Sequence, residues 1–230
     1  LEPTRGEVSI PSTVRMSVLK QDHFAYEEYS VLDTVIMGNK RLYDIMKEKD
    51  ALYAKEDFSD EDGLRASELE GEFAELNGWE AESDASKLIQ GLGLGDDYLY
   101  MQMSSLKESE KVKVLLAQAL FGNPDIILLD EPTNGLDINA VTWLEDFLSD
   151  YFGTVLVVSH SMEDISKIAT KVLVMNESRL AYYDTVDNVF SHSEELKNMG
   201  LNIPVITSLF LKLKENGYDV NTDVYTLEKA

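Results

Sequence analysis

The sequence predicts an α/β fold built on a parallel sheet, and two observations predict it. Ile126-Ile127-Leu128-Leu129 is an apolar run bounded by Asp125 on one side and Asp130-Glu131 on the other. That is the pattern of a strand buried on both faces of a parallel sheet. Val155-Leu156-Val157-Val158 repeats the design and ends in Ser159-His160. Polar groups at the carboxyl ends of such strands sit where open α/β sheets place their ligands.

The remaining elements follow in chain order. Arg5-Gly6 predicts a turn, Glu7 to Ile10 a short strand, and Pro11-Ser12 a break. Val14, Met16 and Val18 alternate with Arg15 and Ser17, the period of a strand leading to Gln21. Val31, Leu32, Val35 and Ile36 have helical spacing behind Ser30 as N-cap, and Leu42, Ile45, Met46, Leu52 and Tyr53 continue the stripe. Ser59 to Gly63 breaks it, and a second helix follows with Leu64, Leu69, Phe73 and Leu76 inward, ending at Asn77-Gly78. Two helices with a polar break make a helical hairpin over about residues 40–78. A third helix spans Glu80 to Gln90, and Gly91 to Gly95 is a loop. Val112, Val114, Leu115, Leu116, Ala119 and Leu120 form the buried stripe of a further helix. Near the end, Val205, Ile206, Leu209, Phe210 and Leu213 line one face of a helix from Pro204 to Asn216, with Gly217 just past it.

Composition excludes several classes. A net charge of −23 repels nucleic acid and anionic membranes at long range. No apolar run reaches transmembrane length, and the opening residues do not form a signal peptide. The chain has no cysteine, so it forms no disulfides. These readings fit a cytoplasmic protein without direct nucleic-acid binding.

Asp130-Glu131-Pro132 carries the candidate chemistry. Adjacent acids on a strand point to opposite faces unless the chain turns, and Pro132 helps to turn it. One acid can then hold a Mg²⁺ while the other polarises a water; an acidic exit turn without a ligand would carry the same residues.

Asp130-Glu131-Pro132-Thr133-Asn134-Gly135-Leu136-Asp137 resembles the Walker B and D-loop of ABC ATPases, and His160, some 25 residues on, resembles their switch histidine. The resemblance implies an ABC nucleotide-binding-domain fold of the P-loop NTPase superfamily, with a parallel core sheet, a helical insertion and a C-terminal helical extension. It also implies ATP and Mg²⁺ as cofactors. Asp130 would hold Mg²⁺ through water, Glu131 would polarise the attacking water, and Gln21, resembling the Q-loop, would contact Mg²⁺. His160 would meet the γ-phosphate, and Asp137 would span a dimer interface.

Two devices of the family depart from the pattern. Gly-x-x-x-x-Gly-Lys-Ser/Thr does not occur in the 230 residues, so the P-loop segment is expected to be missing. The Leu-Ser-Gly-Gly-Glu/Gln signature is matched only by Leu106 and Glu110, with Lys107-Glu108-Ser109 between them. Side chains there hinder close approach to phosphate. The expectation is a domain that is catalytically inactive alone, a scaffold or a designed or engineered fragment. A working ATPase completed by a P-loop outside the sequence is the alternative, and a ribosome-associated factor is a second one.

Residues 1 to about 135 resemble bacterial ABC-F proteins, whose arm the hairpin is similar to. Residues 40–82 hold 14 acids against 6 bases, a poor balance for touching RNA. From about residue 153, segments such as His160 to Asp164 and Leu201 to Pro204 resemble the ATPase subunits of energy-coupling factor (ECF) vitamin transporters. The chain thus resembles a chimera joined between Asn134 and Val155. The expected division is 1–30 (first strands and Q-loop), 31–105 (helical subdomain), 106–190 (ATPase core) and 191–230 (C-terminal extension). In the ECF family that extension pairs two subunits, which implies a homodimer or a second ABC subunit as partner.

Overall fold

The computed structural model describes residues 7, 9–11, 13–20, 22, 24–222, 224–227 and 230. The chain divides into two compact units. One comprises residues 1–144 and 151–156, the other 145–150 and 157–230.

The first unit is organised by β1 (Met16–Val18), β2 (Ile126–Asp130) and β3 (Thr154–Val158), in that spatial order. β1 and β2 are parallel, with Met16 beside Ile126, Ser17 beside Ile127 and Val18 beside Leu128. Burial on both faces, expected from the apolar run, holds for one face only. Ile127 and Leu129 are buried, whereas Ile126 and Leu128 are half-buried. Their register partners Met16 and Val18 are 40% and 45% exposed, and Leu156 on β3 is also exposed. The described residues leave that apolar face to solvent.

The strand expected over Glu7 to Ile10 does not form: Glu7, Ser9 and Ile10 lie outside any strand. Val14 is outside β1, because its N–H turns back to the Pro11 carbonyl (2.9 Å) instead of joining the ladder. Arg5-Gly6 lies outside the described residues.

The expected continuous helical stripe is split into α1 (Val31–Ile36) and α2 (Lys40–Tyr53). Asn39 caps α2 by accepting the Leu42 N–H (3.3 Å), and a Cβ placed on Gly38 would lie 2.0 Å from the Gln118 carbonyl oxygen. The chain turns there because only glycine lets α1 approach the later helix so closely. The polar break at Ser59 is a helix start: Ser59 and Asp62 form a capping box that opens α3 (Asp60–Glu75). That earlier start moves Leu64 outward, 71% exposed, against expectation, while Ala66, Leu69 and Phe73 are buried. Asn77 ends the hairpin in the left-handed region (φ 56°), and α4 (Ala81–Gly91) follows.

α5 (Glu108–Leu120) packs on α1 and α4. Val112, expected inward, is only half-buried, whereas Lys111 and Lys113 are buried. Their ammonium groups meet carboxylates, Glu27 for Lys111 (3.0 Å) and Asp137 for Lys113 (2.6 Å), which makes burial tolerable. α6 (Ile138–Ser149) follows β2.

The second unit holds α7 (Met162–Ile168) and an antiparallel hairpin of β4 (Lys171–Asn176) and β5 (Arg179–Thr185). Glu177 and Ser178 both have positive φ (48° and 61°), as a two-residue hairpin turn requires. α8 (Val186–Ser191), α9 (Ser193–Asn198) and α10 (Val205–Glu215) follow. Ile165, Val172, Val174, Val189, Phe190 and Leu196 are the centre of its core. α10 turns an unexpected face inward. Thr207 is buried and donates to the Val224 carbonyl (2.6 Å), while Val205 and Leu209 of the expected stripe stay 71% and 50% exposed. Pro204 precedes the helix as its cap instead of opening it.

Candidate functional site

β2 delivers Asp130 at its last position, and the chain then turns through a tight set of backbone bonds. The Asn134 N–H donates to the Glu131 carbonyl (3.1 Å) and the Leu136 N–H to the Thr133 carbonyl (3.2 Å). Pro132 is buried inside this turn, and Asp130 is exposed. Glu131 has φ 47°, a left-handed conformation that an L side chain adopts at a cost of roughly 1 kcal/mol or more. It therefore departs from the strand's alternation, so adjacent acids need not point to opposite faces.

Asp137 closes the turn. One carboxylate oxygen accepts the N–H groups of Asn139 and Ala140 (both 3.1 Å), capping α6, and the other accepts the Lys113 ammonium (2.6 Å). The Lys113 hydrogen bond, with the Ala140 amide behind it, holds the Asp137 carboxyl below the usual range. Lys113 is the site residue that motif reading missed. Its signal is a pair of lysines, Lys111 and Lys113, inside an otherwise apolar helix.

Glu110 sits at the third position of α5. It accepts the Lys107 N–H (2.9 Å) and the Tyr98 hydroxyl (3.0 Å). The Lys107 amide is the larger cause that lowers its carboxyl, and the bond to Glu110 raises the Tyr98 hydroxyl. The start of α5 is thus already occupied by the chain's own carboxylate.

His160 is exposed and belongs to the second unit, between the end of β3 and Ser161, which caps α7 by accepting the Asp164 N–H (3.3 Å). Gln21 lies outside the described residues. The structure therefore brings Asp130, Glu131, Asp137 and Lys113 to one segment of the first unit, and places Glu110 on α5.

Among the described residues no three His, Cys, Asp or Glu side chains group to hold a metal by themselves. Mg²⁺ commonly takes one or two carboxylates and completes its shell with water and phosphate oxygens. Asp130 and Glu131 have the donor chemistry for that share.

One further basic residue is half-buried and held by the chain's own carbonyls. Arg15 reaches the carbonyls of Gly38 (3.3 Å), Phe121 (3.1 Å) and Gly122, and its own N–H meets Asp125 (2.7 Å). It ties β1 to the approach of β2. Among the described residues, no helix is long and apolar enough to cross a membrane.

Residues 2–134 match the family described as "ABC transporter". The chain is 57% identical over 183 residues to the uncharacterized ABC transporter ATP-binding protein YkpA of Bacillus subtilis, covering 80% of this chain and 34% of that protein. That match is longer than the 135 or so residues expected to resemble ABC-F proteins. The probable ATP-binding protein YbiT of Escherichia coli O157:H7 is 43% identical with the same coverage. The energy-coupling factor transporter ATP-binding protein EcfA2 of Clostridium acetobutylicum is 33% identical over 66% of this chain and 54% of its own length. The chain spans about a third of the length of the first two relatives. Among solved structures, the dimeric ATP-binding cassette MJ0796 bound to ADP and Pi superposes with a TM-score of 0.51 at 16% identity, covering 75% of this chain and 63% of that one. A putative metal-chelate type ABC transporter gives 0.52 at 19%, covering 85% and 67%. At these identities the likeness concerns the fold.

Proposed function

The chain belongs to the ABC transporter ATPase family, and on that premise we propose that it is the acid-bearing part of an ATP-hydrolysing domain, inactive as these 230 residues alone. The observation that carries the reading is the bare apolar face of the sheet beside Asp130. Parallel strands normally bury both faces, yet Met16 and Val18 remain 40% and 45% exposed over half-buried Ile126 and Leu128. A covering segment from outside the 230 residues, carrying the phosphate-binding loop, fits that face and would complete the site.

In the completed domain Asp130 would hold Mg²⁺ through water and Glu131 would polarise the attacking water. Gln21 would contact the same ion, His160 would contact the γ-phosphate, and Asp137 would sit at the boundary with a second cassette. Mg²⁺ and ATP supply the charge that these groups position. Glu110 belongs with nucleotide contact only if it leaves the Lys107 amide. In its present bond it opposes phosphate at the start of α5, where the amides would otherwise attract an anion. Lys107-Glu108-Ser109 therefore acts as a degenerate signature.

The domain division we favour keeps 1–30, 31–105, 106–190 and 191–230 as functional segments, with the last pairing to a second ABC subunit. Relatives of ABC-F and ECF type match overlapping stretches of the chain, so a join between Asn134 and Val155 remains our reading of the motifs alone. We place its action in the cytoplasm, where ATP and Mg²⁺ are at hand. A direct RNA contact through the α2–α3 hairpin is disfavoured. Arg41, Lys47, Lys49, Lys55 and Arg65 are each paired with a carboxylate, leaving little basic charge for phosphate.

The test is phosphate release by the 230-residue chain, alone and fused behind the P-loop segment of YkpA. Alone it releases none above background; the fusion does, and Glu131→Gln abolishes the gain. Glu131-dependent release by the unfused chain would overturn the proposal, as would an inactive but folded fusion.

A further inference from the structure

The first turns of α6 follow the acidic turn directly, and within the first unit they meet α4 and α5 at two places. One contact is polar. Lys113 of α5 binds Asp137 (2.6 Å), and its ammonium lies against Gly93, where a Cβ would stand 3.5 Å away. The other is aromatic. The Trp143 ring lies on Gly91, the last residue of α4, where a Cβ would run into the indole. A side chain at Gly91 would push α6 away, and one at Gly93, with φ 80°, would be strained.

Stability alone is a poor reason for Lys113. Its side chain is buried, and replacing a buried ion pair by apolar groups of similar volume is often neutral or stabilising. A lysine on a helix surface normally sends its ammonium to water. Lys113 instead meets the residue that ends the acidic turn. Asp137 gives its other oxygen to the Asn139 and Ala140 amides, so α6 is capped without Lys113. What Lys113 adds is a tie between that cap and α5. The tie reaches the site. The bonds from Asn134 to Glu131 (3.1 Å) and from Leu136 to Thr133 (3.2 Å) make residues 131–137 one turn, so a shift of Asp137 carries Glu131 with it.

We propose that Lys113 is a positioning residue, through which α4 and α5 set where Glu131 stands. The inference rests on the role given to Glu131 above and adds what controls it: a displacement of α5 reaches Glu131 through Lys113 and Asp137. Lys111 supplies the contrast. It is buried on the same helix and paired in the same manner, with Glu27 (3.0 Å), but its partner lies outside the turn.

Lys113→Met and Lys111→Met test it, each removing one buried ion pair. The first measurement uses the 230-residue chain carrying Trp79→Phe, so that Trp143 alone emits. Lys113→Met raises the quenching of Trp143 by acrylamide and moves its emission to the red; Lys111→Met does neither. The second measurement uses the fusion behind the YkpA P-loop segment. There Lys113→Met lowers kcat about 10-fold or more with little change in KM for MgATP, because Glu131 is displaced and the phosphate cradle is not. Lys111→Met leaves kcat near the parent's, although it too lowers the unfolding midpoint. If Lys113→Met does not fold, Asp137→Asn breaks the same pair while keeping an acceptor for the α6 amides, and gives the same change in quenching. Either readout indifferent to Lys113→Met overturns the inference, and so does an equal effect of the two lysine variants. A folded but inactive parental fusion overturns the functional reading instead, and the quenching of Trp143 then decides whether Lys113 holds the turn.

Discussion

Gly38→Ala should be among the most damaging single-methyl changes in the first unit. The added Cβ would lie 2.0 Å from the Gln118 carbonyl oxygen and 3.0 Å from its carbon. Both are backbone atoms of α5, so no rotamer change relieves the clash. α1 and α5 must separate by more than an ångström. Overpacking of this kind costs about 1–3 kcal/mol. The same separation strains the buried bond from Gln118 Nε2 to the Thr34 carbonyl (2.8 Å). Losing it adds about 1 kcal/mol, so the expected loss is about 2–4 kcal/mol. Gly71→Ala is the control. It lies inside α3 with nothing within 4 Å of the new methyl, and should stabilise by about 0.4–1 kcal/mol. The assay is urea unfolding followed by tryptophan fluorescence, because Trp79 and Trp143, the only two tryptophans, both belong to the first unit. A Gly38→Ala midpoint within about 0.5 kcal/mol of the parent would refute the close-packing argument.

Further outcomes follow from single groups. Burial, with Asp125 adding to it, pushes the Tyr151 hydroxyl up to about 12, so the folded state favours its neutral form. Its stabilising share is present below the ordinary tyrosine value of about 10 and is lost as pH rises through about 12. Tyr151→Phe should flatten alkaline unfolding in that window, and an unchanged profile would contradict it. Asp62 is lowered to about 2, first by Lys55 and then by Ser59. Its contribution is present above the ordinary value near 3.8 and fades toward pH 2. Asp62→Asn should reduce the acid sensitivity of hairpin helicity seen by circular dichroism. Lys113→Met should raise the Asp137 carboxyl toward its ordinary value, read by carbon-detected NMR titration; no movement would mean that the α6 amides alone set it. Calorimetric titration of the 230-residue chain with ATP and Mg²⁺ should find no low-micromolar site.

The sheet, the acidic turn and most helices were legible because they rest on local pattern. Apolar runs ending in acids, Ser30 at a helix start, and Asn77 at a helix end each carry their own signal. The errors came where partners distant in sequence decide. Nothing near Gly38 in the chain tells that Gln118 will lie against it, so the split between α1 and α2 was hidden. Lys111 and Lys113 are ordinary surface residues until Glu27 and Asp137 arrive to neutralise them. Leu64 failed because the polar run before it caps a helix instead of breaking one, which shifts the inward face. α10 failed for a similar reason: the Val224 carbonyl fixes Thr207 inward, and the more apolar stripe is left outside.

The segment from Asp130 to Asp137 is held by its own backbone and side-chain bonds, and this bears on how the proposed site divides its labour. Glu131 and Gly135 both occupy the left-handed region, and Asp137 is fixed by two amides and a buried lysine. A conformation that is unfavourable for Glu131 by itself persists because its neighbours over-determine it. On the proposed reading, the positioning of water and metal would thus be built in advance, with little reorganisation when nucleotide arrives. Among the described residues phosphate binding has no such preparation: α5 begins against Glu110, and the face beside β1 is bare. On the proposed reading such a half-site is ordered yet weak, because the negative charge of Asp130 and Glu131 would disfavour ATP until an opposing cradle is supplied. Affinity and turnover should therefore appear together on completion, from a chain whose catalytic turn hardly changes.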